Sequence, residues 1–155
     1  MIYLDTSALV KFYGKADFEK GFAKVKDLIE KAKDGNETII SSYFIVGECI
    51  SVFDKWIRYK LITDEELHKA IKRFLADVKE MNDKGTLILE AVTSSIITFS
   101  TELIIKHHMS INDAIHLYTA LSNKDNIKEF ISSDEILLKA AKSEGFKVMN
   151  PEEQK

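Results

Sequence analysis

The chain has a single cysteine, Cys49, and a single proline, Pro151, in 155 residues. One cysteine excludes an internal disulfide and any metal cluster built on thiolates. One proline, close to the C-terminus, leaves no proline-rich linker. The length suits a single domain over residues 1–150, followed by a short polar tail, 151–155, that is expected to fray. No apolar run is long enough to cross a bilayer, so no membrane span is expected. The chain reaches Asp5 before any apolar stretch of useful length, so a secretory signal is not expected either. A cytoplasmic protein is the simplest expectation. A basic excess is also missing. The net charge is −3, and of 22 basic residues only Arg58 and Arg73 are arginines. Such a protein does not grip long duplexes by charge alone, although a local site for nucleic acid stays open. Internal repeats and low-complexity tracts are absent.

What is present is a globular composition, 45% apolar and 30% charged. Short β-like apolar runs alternate with helical periodicity. "MIYLD" reads as a first strand. "ADFEKGFAKVKDLIEKAKDG" reads as a helix carrying Phe18, Phe22, Val25, Leu28, Ile29 and Ala32 at helical spacing, with Gly35 as its stop. "ETIIS" is the second strand. "SYFIVGECISVFDKWIRYKL" is a helix apolar over more than half its circumference. "TDEELHKAIKRFLADVKEMNDKG" opens with a capping box, Thr63 with Glu66. "TLILEAV" is the third strand, and "TSSIITFSTELIIKHH" a helix despite its β-branched residues. "INDAIHLYTALSNK" is a helix, "EFISS" the fourth strand, "DEILLKAAKSEG" a helix ended by Gly145, and "FKVMN" the fifth strand. Strands separated by helices imply parallel pairing through right-handed crossovers. The expectation is a three-layer α/β/α domain with a mainly parallel sheet of about five strands. Ligands bind such sheets at the carboxyl ends of the strands, where strand order reverses.

Asp5 closes the first strand, and it reads either as an N-cap or turn residue or as a functional carboxylate at the binding edge. Thr6 and Ser7 could cap the next helix or bond a metal-bound water or phosphate. Asp134 repeats the design of strand, hydroxyls, aspartate and helix, with Ser132 and Glu135 reading as a capping box. Asp113, with Ser110, fits a relaxed capping box at a helix start. Glu48 lies in mid-helix at the seam between apolar and polar faces, where no capping role reaches it, beside Gly47. Four convergent carboxylates would repel and raise one another's pKa, a cost that a divalent cation removes. Hard oxygen donors without a cysteine cluster or a histidine pair select Mg²⁺, or Mn²⁺, over Zn²⁺. His107 and His108 read as charges at a helix C-terminus, His68 and His116 as ordinary helix residues, and Cys49 as core.

With these residues in place, the sequence resembles the PIN-domain ribonucleases, and among them the VapC-type toxins of toxin–antitoxin pairs. "YLDTSALVK" resembles the opening motif and carries Asp5. "SYFIVGECI" carries Glu48. "INDAIHLYTAL" resembles the third motif, with Asp113. "FISSDEILLKAAKSEGFKV" resembles the fourth, with Asp134 and with Ser132 where threonine is more usual. The 63–92 segment is long for a compact toxin of this kind. The resemblance implies Mg²⁺-dependent cleavage of single-stranded or looped RNA, with Asp5, Glu48, Asp113 and Asp134 as catalytic acids. It makes Asp5 and Asp113 the metal ligands, with Thr6 and Ser132 supporting them. Lys11 and Lys15 read as RNA-backbone contacts or as a solvated helix face. The apolar excess of Ile45, Ile50, Phe53, Trp56, Ile57 and Tyr59 reads as a surface for a homodimer or for a small antitoxin. That antitoxin could place a cationic side chain in the acidic pocket. The other readings are a PIN nuclease of RNA processing without an antitoxin and a PIN scaffold that binds RNA without cutting it. An aspartyl phosphohydrolase would need a second aspartate where Ser7 stands. A receiver domain would need paired acids and a late lysine that do not appear.

Overall fold

Side chains alternate along β1, Ile2–Leu4, and that alternation sets the layers. Ile2 and Leu4 enter one core together with Val25, Ile29, Ile45, Phe53, Phe74 and Met81. Tyr3 enters the other, with Ile40, Leu103, Leu117, Phe130 and Leu137. A strand buried on both faces needs helices on both, and the computed structural model, which describes residues 1–14 and 20–153, supplies them. The remaining strands are β2 (Ile39–Ser42), β3 (Leu87–Glu90), β4 (Glu129–Ile131) and β5 (Val148–Met149). Their order is β3-β2-β1-β4-β5, and every pairing is parallel. The helices are α1 (Thr6–Leu9), α2 (Phe22–Lys33), α3 (Ile45–Arg58), α4 (Asp64–Asp83), α5 (Ser94–His107), α6 (Ile111–Leu121) and α7 (Glu135–Ser143). One core takes residues from α1 to α4 and the other from α5 to α7, which is the expected three-layer α/β/α architecture.

The expected capping box of α4 is present: Thr63 accepts from the Glu66 amide while the Glu66 carboxylate accepts from the Thr63 amide. α5 forms despite its β-branched residues, with Thr93 as N-cap, accepting from Ile96 N–H. α2, expected from residue 16, begins at Phe22. Gly21, just before it, takes φ +85°, a left-handed conformation that interrupts a helical path. A Cβ there would stand 2.9 Å from the carbonyl carbon of Pro151, so this glycine also lets the C-terminal segment approach closely. Phe18 and Lys15 lie outside the described residues.

That approach corrects the fraying expected of the tail over its described residues, 151–153. Pro151 is buried, and Glu152 pairs with Lys11 at 2.5 Å. Lys11 is itself buried, so it is neither a solvated helix residue nor a contact for RNA. The apolar excess of α3 is also largely absorbed. Ile45 and Phe53 are core, and Trp56 packs on Phe53 with ring centroids 5.2 Å apart. Tyr59 alone of that set is fully exposed, together with Leu61 just beyond the helix.

Candidate active site

Strand order runs outward from β1 through β2 and β3 on one side and through β4 and β5 on the other. The reversal falls at β1 and β4, and the crevice beyond their carboxyl ends is where a parallel sheet takes its ligand. Register brings Leu4 opposite Ile131. The next residues, Asp5 and Ser132, therefore face one another, and Ser132 Oγ donates to Asp5 Oδ2 at 3.0 Å. Asp5 is also the N-cap of α1, accepting from Ala8 N–H at 3.0 Å. Ser7 Oγ lies 3.0 and 2.9 Å from the two carboxylate oxygens and accepts from Ser133 N–H at 2.8 Å. Capping and crevice positions thus coincide in one residue. Asp5 is only 4% exposed, and burial pushes its carboxyl above the ordinary aspartate range, opposed by nearby His116 and by its bonds to Ala8, Ser7 and Ser132.

Glu48 sits at the burial seam, as expected, but not in mid-helix. α3 starts at Ile45, so Glu48 is in its first turn. Its Oε2 accepts from Thr6 Oγ1 at 2.5 Å and lies 2.7 Å from His116 Nε2. His116 Nδ1 is 2.9 Å from the Tyr3 hydroxyl, which accepts from Ser42 N–H at 3.3 Å. Burial keeps the Tyr3 phenol protonated. The Glu48 carboxylate can only accept, so Nε2–H donates to it. Burial raises the Glu48 pKa, but the bond and charge of His116, with bonds from Thr6 and Asn112, outweigh it and hold the carboxyl below the ordinary glutamate range. His116 is therefore part of the site and not an ordinary helix residue. One signal for it was local, since it stands one turn after Asp113 on the same face of α6.

Asp113 lies in the first turn of α6. Ser110 caps that helix by accepting from the Asp113 amide at 3.2 Å, and its hydroxyl donates to Asp113 Oδ2 at 2.7 Å. Asp134 is the N-cap of α7, accepting from Leu137 N–H at 2.8 Å. The expected capping box of Ser132 with Glu135 is not formed. Ser132 is too early for the cap and spends its hydroxyl on Asp5 and on the Asp134 amide, 2.9 Å away. The structure thus joins Asp5, Thr6, Ser7, Glu48, His116 and Ser132 in bonded clusters. It brings Asp113 and Asp134 to the same edge without a bond to another acid among the described residues. His107 and His108 end α5 as expected, His107 Nε2 lying 2.6 Å from Glu144.

The donors suit a hard cation. They are carboxylates and hydroxyls, the one cysteine is buried in the core, and the desolvated Asp5 carboxylate gains from a positive partner. Among the described residues, no three histidine, cysteine, aspartate or glutamate side chains stand close enough to hold an ion by themselves.

The PIN domain family model matches residues 2–143. The chain belongs to the PIN domain family. Two solved structures share this PIN fold. PAE2754 from Pyrobaculum aerophilum superposes with a TM-score of 0.60 at 15% identity, covering 98% of this chain and 92% of the other. VapC20 from Mycobacterium tuberculosis, a toxin that cleaves the sarcin–ricin loop, superposes with a TM-score of 0.61 at 16% identity, covering 94% and 96%. No curated protein matches in sequence. Among the described residues of this PIN domain, no helix is long and apolar enough to cross a membrane.

Proposed function

We propose that this PIN domain is a Mg²⁺-dependent endoribonuclease that cuts single-stranded or looped RNA, with Mn²⁺ as a substitute ion. PIN domains are nucleases, and family membership brings that chemistry to this chain. The observation that carries the reading further is the Glu48 carboxylate, held below the ordinary glutamate range by His116, Thr6 and Asn112. It stands at the crevice edge where Asp5 ends β1. Asp5 and Asp113 would hold the ion, and Glu48 and Asp134 would complete its surroundings directly or through water. When bound, the ion supplies a lowered water pKa and charge neutralisation at the scissile phosphate. The protein's own part is positional. Ser132 and Ser7 fix the Asp5 carboxylate, and Thr6 and His116 fix Glu48 and keep it ionised beside the ion's place. An unpaired strand suits an open crevice better than a duplex, whose geometry hides the bases and constrains the backbone.

VapC20 is a toxin, and we extend that role to this chain. The extension implies a small antitoxin partner, a cytoplasmic site of action and a homodimer. The decisive experiment is RNA cleavage with Mg²⁺, comparing wild type with Asp5→Asn, Asp113→Asn and His116→Gln. The aspartate variants should be inactive. His116→Gln should retain about a tenth to a hundredth of the rate, the usual cost of losing a residue that orients a working carboxylate. Cleavage that survives both chelation and the aspartate substitutions would overturn the metal-nuclease reading.

A further inference from the structure

Beside the acids lies a surface that the proposed chemistry does not use. Tyr43 and Phe44 follow β2 directly and are 60% and 39% exposed. With Val46, Gly47, Ala91 and Val92 they line an open depression of about 600 Å³. Large aromatics at a strand end are usually drawn inward, because each removes much apolar area from water. These two stay exposed on a backbone that is itself tied down. Tyr43 N–H donates to Glu90 O at 2.8 Å and Phe44 N–H to Ser42 Oγ at 3.2 Å. Phe44 takes the N-cap position of α3, where a short polar residue is preferred, and makes no side-chain cap bond. Its side chain therefore does nothing for the helix start.

The position of this patch points to its ligand. Phe44 and Glu48 are four residues apart across the first turn of α3, so their Cβ atoms are roughly 6 Å apart. Gly47, on the other side of Phe44, has nothing within 4 Å of where a Cβ would stand, which leaves the depression open beside the ring. Asn112 lies close enough to help lower the Glu48 pKa, so the start of α6 borders the same carboxylate. Charge offers the substrate little grip elsewhere. Arg58 is paired with Asp54, and Arg73 lies over the Phe12 ring. Six lining residues fall far short of the roughly 20–30 a side of a stable protein interface.

We propose that Tyr43 and Phe44 form a stacking shelf for one unpaired nucleobase of the RNA substrate, beside the crevice that Glu48 borders. This rests on the nuclease reading above. A base stacked on an aromatic ring binds with little regard to sequence, and each such contact carries about a tenfold change in affinity. The pinned backbone means that little order is lost on binding. The shelf places a splayed base beside the cleavage point and selects against paired strands.

The test uses a pool of short single-stranded oligoribonucleotides of random sequence, with wild type, Tyr43→Ala and Phe44→Leu assayed in Mg²⁺. Each variant should raise KM about tenfold with kcat within a factor of two or three. A 5-iodouridine oligonucleotide should photocrosslink to Tyr43 or Phe44 in the wild type. Wild-type cleavage with KM unchanged in both variants, and no crosslink at either residue, would overturn the shelf and leave the nuclease standing. Variants that change elution volume on gel filtration without changing KM would overturn it in favour of a contact between copies. A wild type that cleaves no RNA under these conditions would remove the nuclease reading and the shelf with it.

Discussion

Burial pushes the Asp5 carboxyl above its ordinary 3.8, opposed by His116 and by hydrogen bonds from Ala8, Ser7 and Ser132. Burial acts on Glu48 in the same sense, yet His116, Thr6 and Asn112 bring that carboxyl below its ordinary 4.5. The two acids therefore give stability opposite dependences on pH. For Asp5 the folded chain binds the proton more tightly than the unfolded chain, so stability falls as pH rises from the ordinary value through the raised one. For Glu48 stability is complete above the ordinary value and is lost as pH falls through the lowered one. Without divalent metal, Asp5→Asn should melt above wild type near neutral pH, and the difference should shrink as the solution is made acidic. Added Mg²⁺ should then raise the wild-type melting temperature and leave the variant unmoved. Differential scanning calorimetry in chelator and in Mg²⁺ reads both effects. A variant that melts below wild type near neutral pH would mean that the donors around Asp5 outweigh its desolvation. The four acids were legible in the sequence because each stands at a strand end or helix start, or on a face seam. His116 was less so: its place one turn after Asp113 is a local signal, but its partners Tyr3, Thr6 and Glu48 come from three other elements.

Asp134 shows how one helix start serves two purposes. Its Oδ1 caps α7 through Leu137 N–H, and among the described residues its second oxygen carries no bond. Serine keeps the capping oxygen and removes the charge, whereas alanine removes both. Asp134→Ala should lose about 1 kcal/mol of stability in urea titrations, and Asp134→Ser should stay within a few tenths of wild type. If the carboxylate contributes to cleavage, both variants lose activity alike. If it only caps, Asp134→Ser keeps wild-type activity. The same economy limits what local patterns reveal about elements. The alternation of strands and helices was readable throughout, because apolar periodicity and capping residues are local signals, as at Thr63 and Thr93. The start of α2 was not, because it depends on Gly21 meeting Pro151 from the far end of the chain. Nor was the cap of α7, because Ser132 answers to Asp5 on β1 before it answers to its own helix.

Across the whole molecule, strand order puts Asp5 beside Ser132 at the reversal, while the net charge stays small. The order β3-β2-β1-β4-β5 could not be read from the sequence, since parallel pairing depends on contacts far apart in the chain, yet it alone makes β1 and β4 neighbours at the reversal. The net charge is −3, and among the described residues several cations are paired with carboxylates. Lys11 pairs with Glu152, Lys33 with Asp77, Lys31 with Asp27, Lys69 with Glu65 and Lys84 with Glu80. A protein so arranged cannot hold RNA by neutralising a long run of phosphates. Each phosphate contacted on a single strand contributes about −0.7 to the slope of log K against log salt. Binding carried by a metal-loaded crevice and stacked bases should engage no more than about three phosphates, which gives a slope no steeper than about −2. The measurement is fluorescence anisotropy of a short labelled single-stranded RNA on the Glu48→Gln protein in Mg²⁺, titrated across a range of KCl concentrations. A slope of about −4 or steeper would reveal a basic track and would mean that the paired lysines exchange their carboxylates for phosphates.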